Sequence, residues 1–167
     1  HILTANLNPG ENLMVQDPVQ SLLALGTTNA VFVSRNGLRF SEAVDWVSIT
    51  NSSFSGTPTC IEFSVDGNIM FIGTRGGTVF RIDNLNEVYD DNPGLTTTTT
   101  VFNANSGQSI TGIALNPNNE NHLVVTTGNW GVNDHVAFID DAATRLSAAS
   151  MNSNGVHNTT LPQFPVW

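Results

Sequence analysis

The chain contains no lysine; its five basic residues are all arginine, against fourteen acidic ones, for a formal net charge of -9 over 167 residues. Such a balance repels polyanions, which makes nucleic acid and anionic membrane surfaces poor partners. Charge of any sign is scarce at 11%, so Asn, Ser and Thr keep the surface wet, a composition that points to an exported, extracellular or cell-surface protein. Cys60 is the only cysteine, which excludes an intrachain disulfide and a cysteine-based metal cage. Its apolar neighbours predict a buried small hydrophobe. No run approaches the roughly 18 apolar residues of a membrane-spanning helix. The opening His1-Ile2-Leu3 has neither an initiator Met nor a basic region before an apolar core, which predicts a processed start or a segment of a longer chain. Helical periodicity is nearly absent too, with only 84–91 and 140–150 suggesting a helical turn or two in a loop.

What is present is strand. Val, Ile, Phe and Thr fill short runs at Val31–Ser34, Ile69–Ile72, Thr78–Ile82 and Leu123–Thr127, each bounded by Gly, Asn, Asp or Pro. In the middle of the chain, Ile61–Ser64 is a strand, Val65-Asp66-Gly67 a turn, and Asn68–Gly73 the returning strand. Thr74-Arg75-Gly76-Gly77 turns the chain again, Thr78–Asp83 makes a third strand, and a Thr-rich fourth follows around Thr96–Asn103. The result is a four-stranded meander.

The same order recurs further on. Ile113–Leu115, the turn Asn116–Asn119, the strand His122–Thr127, a longer turn through Trp130 and Asn133, and Val136–Asp140 repeat each step, and Ile61 and Ile113 stand 52 residues apart. An earlier, partial copy begins at Leu23, where LALGTTNAVFVSR parallels MFIGTRGGTVFRI from Met70, with a fourth strand predicted at Asp45–Thr50. FPVW, near residue 167, falls where a further unit would start. Repeats of about 40 to 55 residues, each an antiparallel four-stranded meander, predict β-propeller blades, which stack to bury faces that one blade leaves open. The expected fold is therefore all-β: a propeller portion of about three blades (13–55, 56–105 and 109–160) with 161–167 opening the next, all within one domain. Propellers close with about four to eight blades, so the remaining blades are expected from the same polypeptide or from partner chains.

IEFSVDGNIMFIGTRGGTVFRID is similar to blades of WD-repeat and related propellers, although the Trp-Asp and Gly-His pairs of true WD repeats are missing. SRNGLRF resembles a degenerate Asp-box turn of sialidase and sortilin-like propellers, with Ser34, Asn36, Gly37 and Phe40 in place and one spacer lacking. The resemblance is to a sortilin-like or WD-like propeller of an exported multidomain protein. It implies a module for protein interaction or surface assembly, or else a segment of a glycan-acting or other hydrolytic propeller whose catalytic groups lie elsewhere.

No catalytic set is legible. A sialidase-like site needs an arginine cluster and a Tyr nucleophile, whereas the single tyrosine, Tyr89, falls in a predicted loop; no Gly-x-Ser-x-Gly elbow occurs. No cofactor is implied. Asn133, Asp134 and His135 fall together in one predicted turn, and the first two could offer oxygen to calcium, but Asn and Asp also shape turns through local hydrogen bonds, the favoured reading. Asp83, Asn86 and Asp90 lack the Gly and terminal Glu of a calcium loop and read as a solvated acidic loop. The binding candidates are Arg75 and Trp130, with Asn133 and Asp134, because they lie in turns between second and third strands, which a propeller gathers on one face. Aromatic and Arg side chains are strong interface anchors. Asn51-Ser52-Ser53 and Asn158-Thr159-Thr160 match the N-glycosylation pattern.

Overall fold

The computed structural model describes residues 13–16, 23–27, 30–36, 43–50, 56–88, 96–104, 108–128 and 134–160. The fold is all-β, built from three antiparallel sheets of four strands each. The first sheet holds β1 (Leu13–Gln16), β2 (Leu23–Gly26), β3 (Ala30–Ser34) and β4 (Val47–Thr50). The second holds β5 (Pro58–Phe63), β6 (Met70–Thr74), β7 (Thr78–Asp83) and β8 (Thr97–Asn103). The third holds β9 (Ser109–Asn116), β10 (Asn119–Gly128), β11 (Asp134–Ile139) and β12 (Val156–Thr160). Within each sheet every strand pairs with its neighbours in chain order, so each is a meander. Turn chemistry explains the reversals. Gly67 and Gly77 take φ of 69° and 84° after β5 and β6, conformations that side chains disfavour. Of the two helical expectations, 84–91 contains a 3-10 turn at Leu85–Glu87, while the segment after Asp140 forms turns without a helix.

Side chains alternate faces along each strand, so register decides what each sheet buries. Phe63 pairs with Met70 and Met70 with Ile82, while Ile61 pairs with Ile72 and Ile72 with Phe80. These six face Ala24, Val31, Val33, Val47 and Ile49 of the first sheet and form one core with them. The opposite face of the second sheet packs Phe71, Val79 and Phe102 against Ile110, Leu123, Val125, Ala137 and Ile139 of the third. The second sheet is therefore covered on both sides. Contacts between sheets concentrate on the first strands: β5 touches β1 and β2, and β9 touches β5, β6 and β7. The sheets stack in series without closing a ring among the described residues.

Two arginines tie each sheet to the next. Arg35, just past β3, donates from Nε to the Val88 carbonyl at 3.0 Å and from Nη2 to the Leu85 carbonyl, holding the segment after β7. Arg81, buried in β7, bonds the Ala142 and Arg145 carbonyls at 2.7 and 2.9 Å and pairs with Asp83 at 2.8 Å. The loop between β11 and β12 is thereby held against the second sheet. Its Ala149 forms a parallel bridge to Phe102, donating to the Val101 carbonyl at 3.0 Å and accepting from the Asn103 amide at 2.8 Å.

Periodicity predicts burial for Ile61, Phe63, Phe71 and Phe80, and all four are buried. It predicts the same for Ile113, Leu115, Val124, Val136 and Phe138, and here the structure differs. Ile113, Leu115, Val124 and Val136 are half-buried, and Phe138 is 40% exposed. Ala114, Val124 and Phe138 share one cross-strand row on the face of the third sheet turned away from the second, and no described sheet covers it. Asp134, expected in a turn, is instead the first residue of β11, opposite Thr160. Trp130, Asn133, Tyr89, Asp90, Gly37, Phe40 and residues 161–167 lie outside the described residues.

Candidate functional site

The ends of β6 and β8 and the starts of β5, β7, β9 and β11 meet at one end of the stacked sheets, around the turn that carries Arg75. That turn closes through the Gly77 amide donating to the Thr74 carbonyl at 3.1 Å, with the Thr74 hydroxyl bonded to both the amide and the carbonyl of Thr78. It is anchored from both flanks. The Arg75 amide donates to the Thr57 carbonyl at 2.8 Å, the Ser109 hydroxyl donates to the Arg75 carbonyl at 3.0 Å, and the Ala104 amide donates to Gly77 at 2.7 Å. At Gly77 a Cβ would collide with the Gln108 carbonyl oxygen, so glycine serves both the positive φ and the close approach.

Arg75 therefore projects from a backbone held at four points. Its side chain is exposed and makes no hydrogen bond or ion pair among the described residues. The other described arginines are committed: Arg35 and Arg81 to the carbonyls named above, and Arg145 to Asp141 at 2.8 Å and to the Asn154 carbonyl. Pairing of Arg75 with a neighbouring acid, the simplest structural role open to it, does not occur among these residues.

Beneath the turn lies a polar cluster that sequence reasoning missed. Gln108, Thr127 and His135 are all fully buried. The Gln108 amide donates to the Thr127 hydroxyl at 3.1 Å, and His135 Nδ1 lies 3.2 Å from the Thr127 carbonyl oxygen. A carbonyl only accepts, so Nδ1 carries a proton and donates. Nε2 is buried without a hydrogen-bond partner among the described residues, as is Trp46 Nε1. The sequence assigns His135 to the same exposed turn as Asn133 and Asp134; the strand places it inside. The available signal was its position one residue before the alternating Val136-Ala137-Phe138.

Of the four predicted binding residues, the structure positions Arg75 at this end and Asp134 at the adjacent strand start, beside His135. No group of three His, Cys, Asp or Glu suited to a metal ion occurs among the described residues. No described helix is long and apolar enough to cross a membrane. At the opposite end, Glu120 near the start of β10 stands near Asp66 in the turn after β5, and burial together with that charge raises its carboxyl above the usual range. The Glu62 carboxyl is also raised by burial, against the opposing pull of the Leu115 amide.

Cys60 lies on β5 against Gly73 and is only partly exposed. Burial pushes its thiol from 9.0 up to about 11, opposed by the Thr59 hydroxyl. The thiolate is the reactive form, so little of it exists near neutrality. Alkylation of the folded protein by iodoacetamide at neutral pH should be far slower than for a free thiol of pKa about 8.5, and should accelerate as the pH climbs past 9 toward 11. Intact-mass measurement of the labelled fraction checks this, and labelling as fast as glutathione would contradict it.

No protein-family model matches the chain, and no curated protein gives a significant match.

Proposed function

We propose that the chain is a portion of an exported β-propeller, a non-catalytic module that binds a protein partner through the end of the sheets where Arg75 projects. The observation that carries this reading is the Arg75 turn: a guanidinium exposed on an anchored backbone, without an ion pair among the described residues, in a chain of net charge -9. A rigid loop lowers the entropy lost on binding, and Arg pairs bidentately with carboxylates. The partner presents a carboxylate at this end. The serial stacking of three meanders through their first strands supports the propeller reading, as does the resemblance of IEFSVDGNIMFIGTRGGTVFRID to WD-like blades. The polar, lysine-free composition supports an extracellular or cell-surface setting.

The test uses the immobilised intact protein to capture partners from the extracellular fraction of its host, followed by affinity measurement with wild type and R75A. Loss of one charge-assisted contact should weaken binding at least about tenfold, equivalent to about 1.4 kcal/mol. Unchanged affinity in R75A, an empty capture, or turnover of oligosaccharides by the purified protein would each overturn the reading.

A further inference from the structure

The dipeptide Asn-Gly occurs twice in the chain, at 36–37 and at 154–155. Asparagine is chemically labile, and a following glycine exposes it most, because no Cβ shields the backbone nitrogen from the preceding side-chain amide. The structure treats the two asparagines differently. Asn36 is held: its Nδ2 donates to the Ala43 carbonyl at 2.9 Å and to the Asp45 carboxylate at 3.1 Å, while its Oδ1 accepts from the Asp45 amide at 2.9 Å. Asn154 is exposed, in the turn that leads into β12. Gly155 takes a φ of 74°, and Arg145 lies so close that a Cβ there would stand 3.0 Å from Nη2. The same Nη2 donates to the Asn154 carbonyl at 2.8 Å. Asp141 fixes the guanidinium in place, 2.8 Å from both Nε and Nη2.

The geometry points to Asn154-Gly155 as a self-modifying site at which Arg145 promotes conversion of the asparagine to isoaspartate. The Asn154 carbonyl and the Gly155 nitrogen belong to one peptide unit, so negative charge on that nitrogen spreads to the oxygen that Arg145 contacts. A cation hydrogen-bonded there favours the anion. The nitrogen, its proton lost to solvent, attacks Asn154 Cγ. As the N–Cγ bond forms the Cγ–Nδ2 bond breaks, and Nδ2 takes a proton from water and leaves as ammonia. Water then opens the cyclic imide at either of its carbonyls. Attack at Cγ gives aspartate, whereas attack at the main-chain carbonyl carbon breaks its bond to the Gly155 nitrogen and gives isoaspartate. Arg145 favours the second course, because it donates to the oxygen on which charge then develops. Its bond to a carbonyl becomes an ion pair with the freed α-carboxylate. The product carries an extra main-chain atom between residues 154 and 155, where the Gly155 carbonyl accepts from the Asp140 amide at 2.9 Å and β12 begins to pair with β11. The closure of the third sheet thus has a built-in lifetime.

The test incubates the full-length chain at mildly alkaline pH and follows both Asn-Gly pairs by peptide mapping, with electron-transfer fragmentation to separate isoaspartate from aspartate. In the folded protein residue 154 should convert well ahead of residue 36, and in urea that lead should vanish. R145Q removes the cation and should slow conversion at 154 about tenfold, the worth of one charge-assisted hydrogen bond. D141N keeps Arg145 and removes its counter-charge, so conversion should be no slower than in wild type. A turn merely loosened by loss of the Arg145–Asp141 pair would shift both variants in the same direction. If R145Q does not fold, wild type alone supplies the readout, since the share of isoaspartate over aspartate should be higher in the folded chain than in urea. Conversion at 36 as fast as at 154 in the folded protein, an R145Q rate equal to or above wild type, both variants slowed alike, or a product ratio indifferent to folding would each overturn the proposal.

Discussion

Replacing Arg81 with Leu should destabilise the protein by about 3 to 5 kcal/mol, the usual cost of breaking a buried charged pair by removing one partner. Arg81 is only 5% exposed, and its guanidinium serves three acceptors at once: Asp83 and the carbonyls of Ala142 and Arg145. Leu preserves much of the apolar stem but leaves a half-buried carboxylate facing an apolar side chain and two carbonyls without this donor. Removing the acid instead should be gentler, because Asp83 is 19% exposed and the Arg81 bonds to the loop carbonyls would persist in D83N. Urea denaturation of the three proteins measures both effects, and an R81L midpoint within error of wild type would show that the arginine does not hold the loop.

The second large effect belongs to Phe80. It is 1% exposed, lies in the core shared by the first two sheets, and stands opposite Ile72. Truncation to Ala should cost about 3 to 5 kcal/mol, because a buried cavity forms that the strand backbone cannot collapse to fill. Asn119 offers the contrast. It is exposed at the start of β10, where its side chain accepts from the Asn121 amide at 3.1 Å, and its replacement by Ala should change stability by less than about 0.5 kcal/mol. Thermal or urea unfolding compares the two, and an F80A protein as stable as N119A would remove the stacked-sheet core as the source of stability.

The strands were legible because each run of Val, Ile, Phe or Thr is interrupted by a residue that must turn. Gly67 and Gly77 mark the reversals after β5 and β6, and both adopt the positive φ that makes glycine informative there. Alternation within Thr78–Asp83 also placed Phe80 inside. The same alternation misjudged Phe138, because strand periodicity says which residues share a face but not whether another sheet covers that face. The arginine ties were illegible for a different reason. Arg81 meets carbonyls 61 and 64 residues along the chain, and a backbone acceptor leaves no trace in residue identity. Asp134 was misplaced because the pairing of β11 with β12 shifts register between Asp134 and Val136, extending a strand into what reads as a turn. His135 followed it inward, and with it the buried cluster below Arg75.

The bridge from Ala149 to β8 bears on self-association. β8 is the last strand of its sheet, and a last strand offers a row of unpaired amides and carbonyls on which another polypeptide can template itself. At Val101 and Asn103 that row is already occupied by the loop from the third sheet. Loosening the loop, as R81L would, therefore does more than lower a midpoint: it uncaps a Thr-rich edge and opens a route to strand-by-strand aggregation.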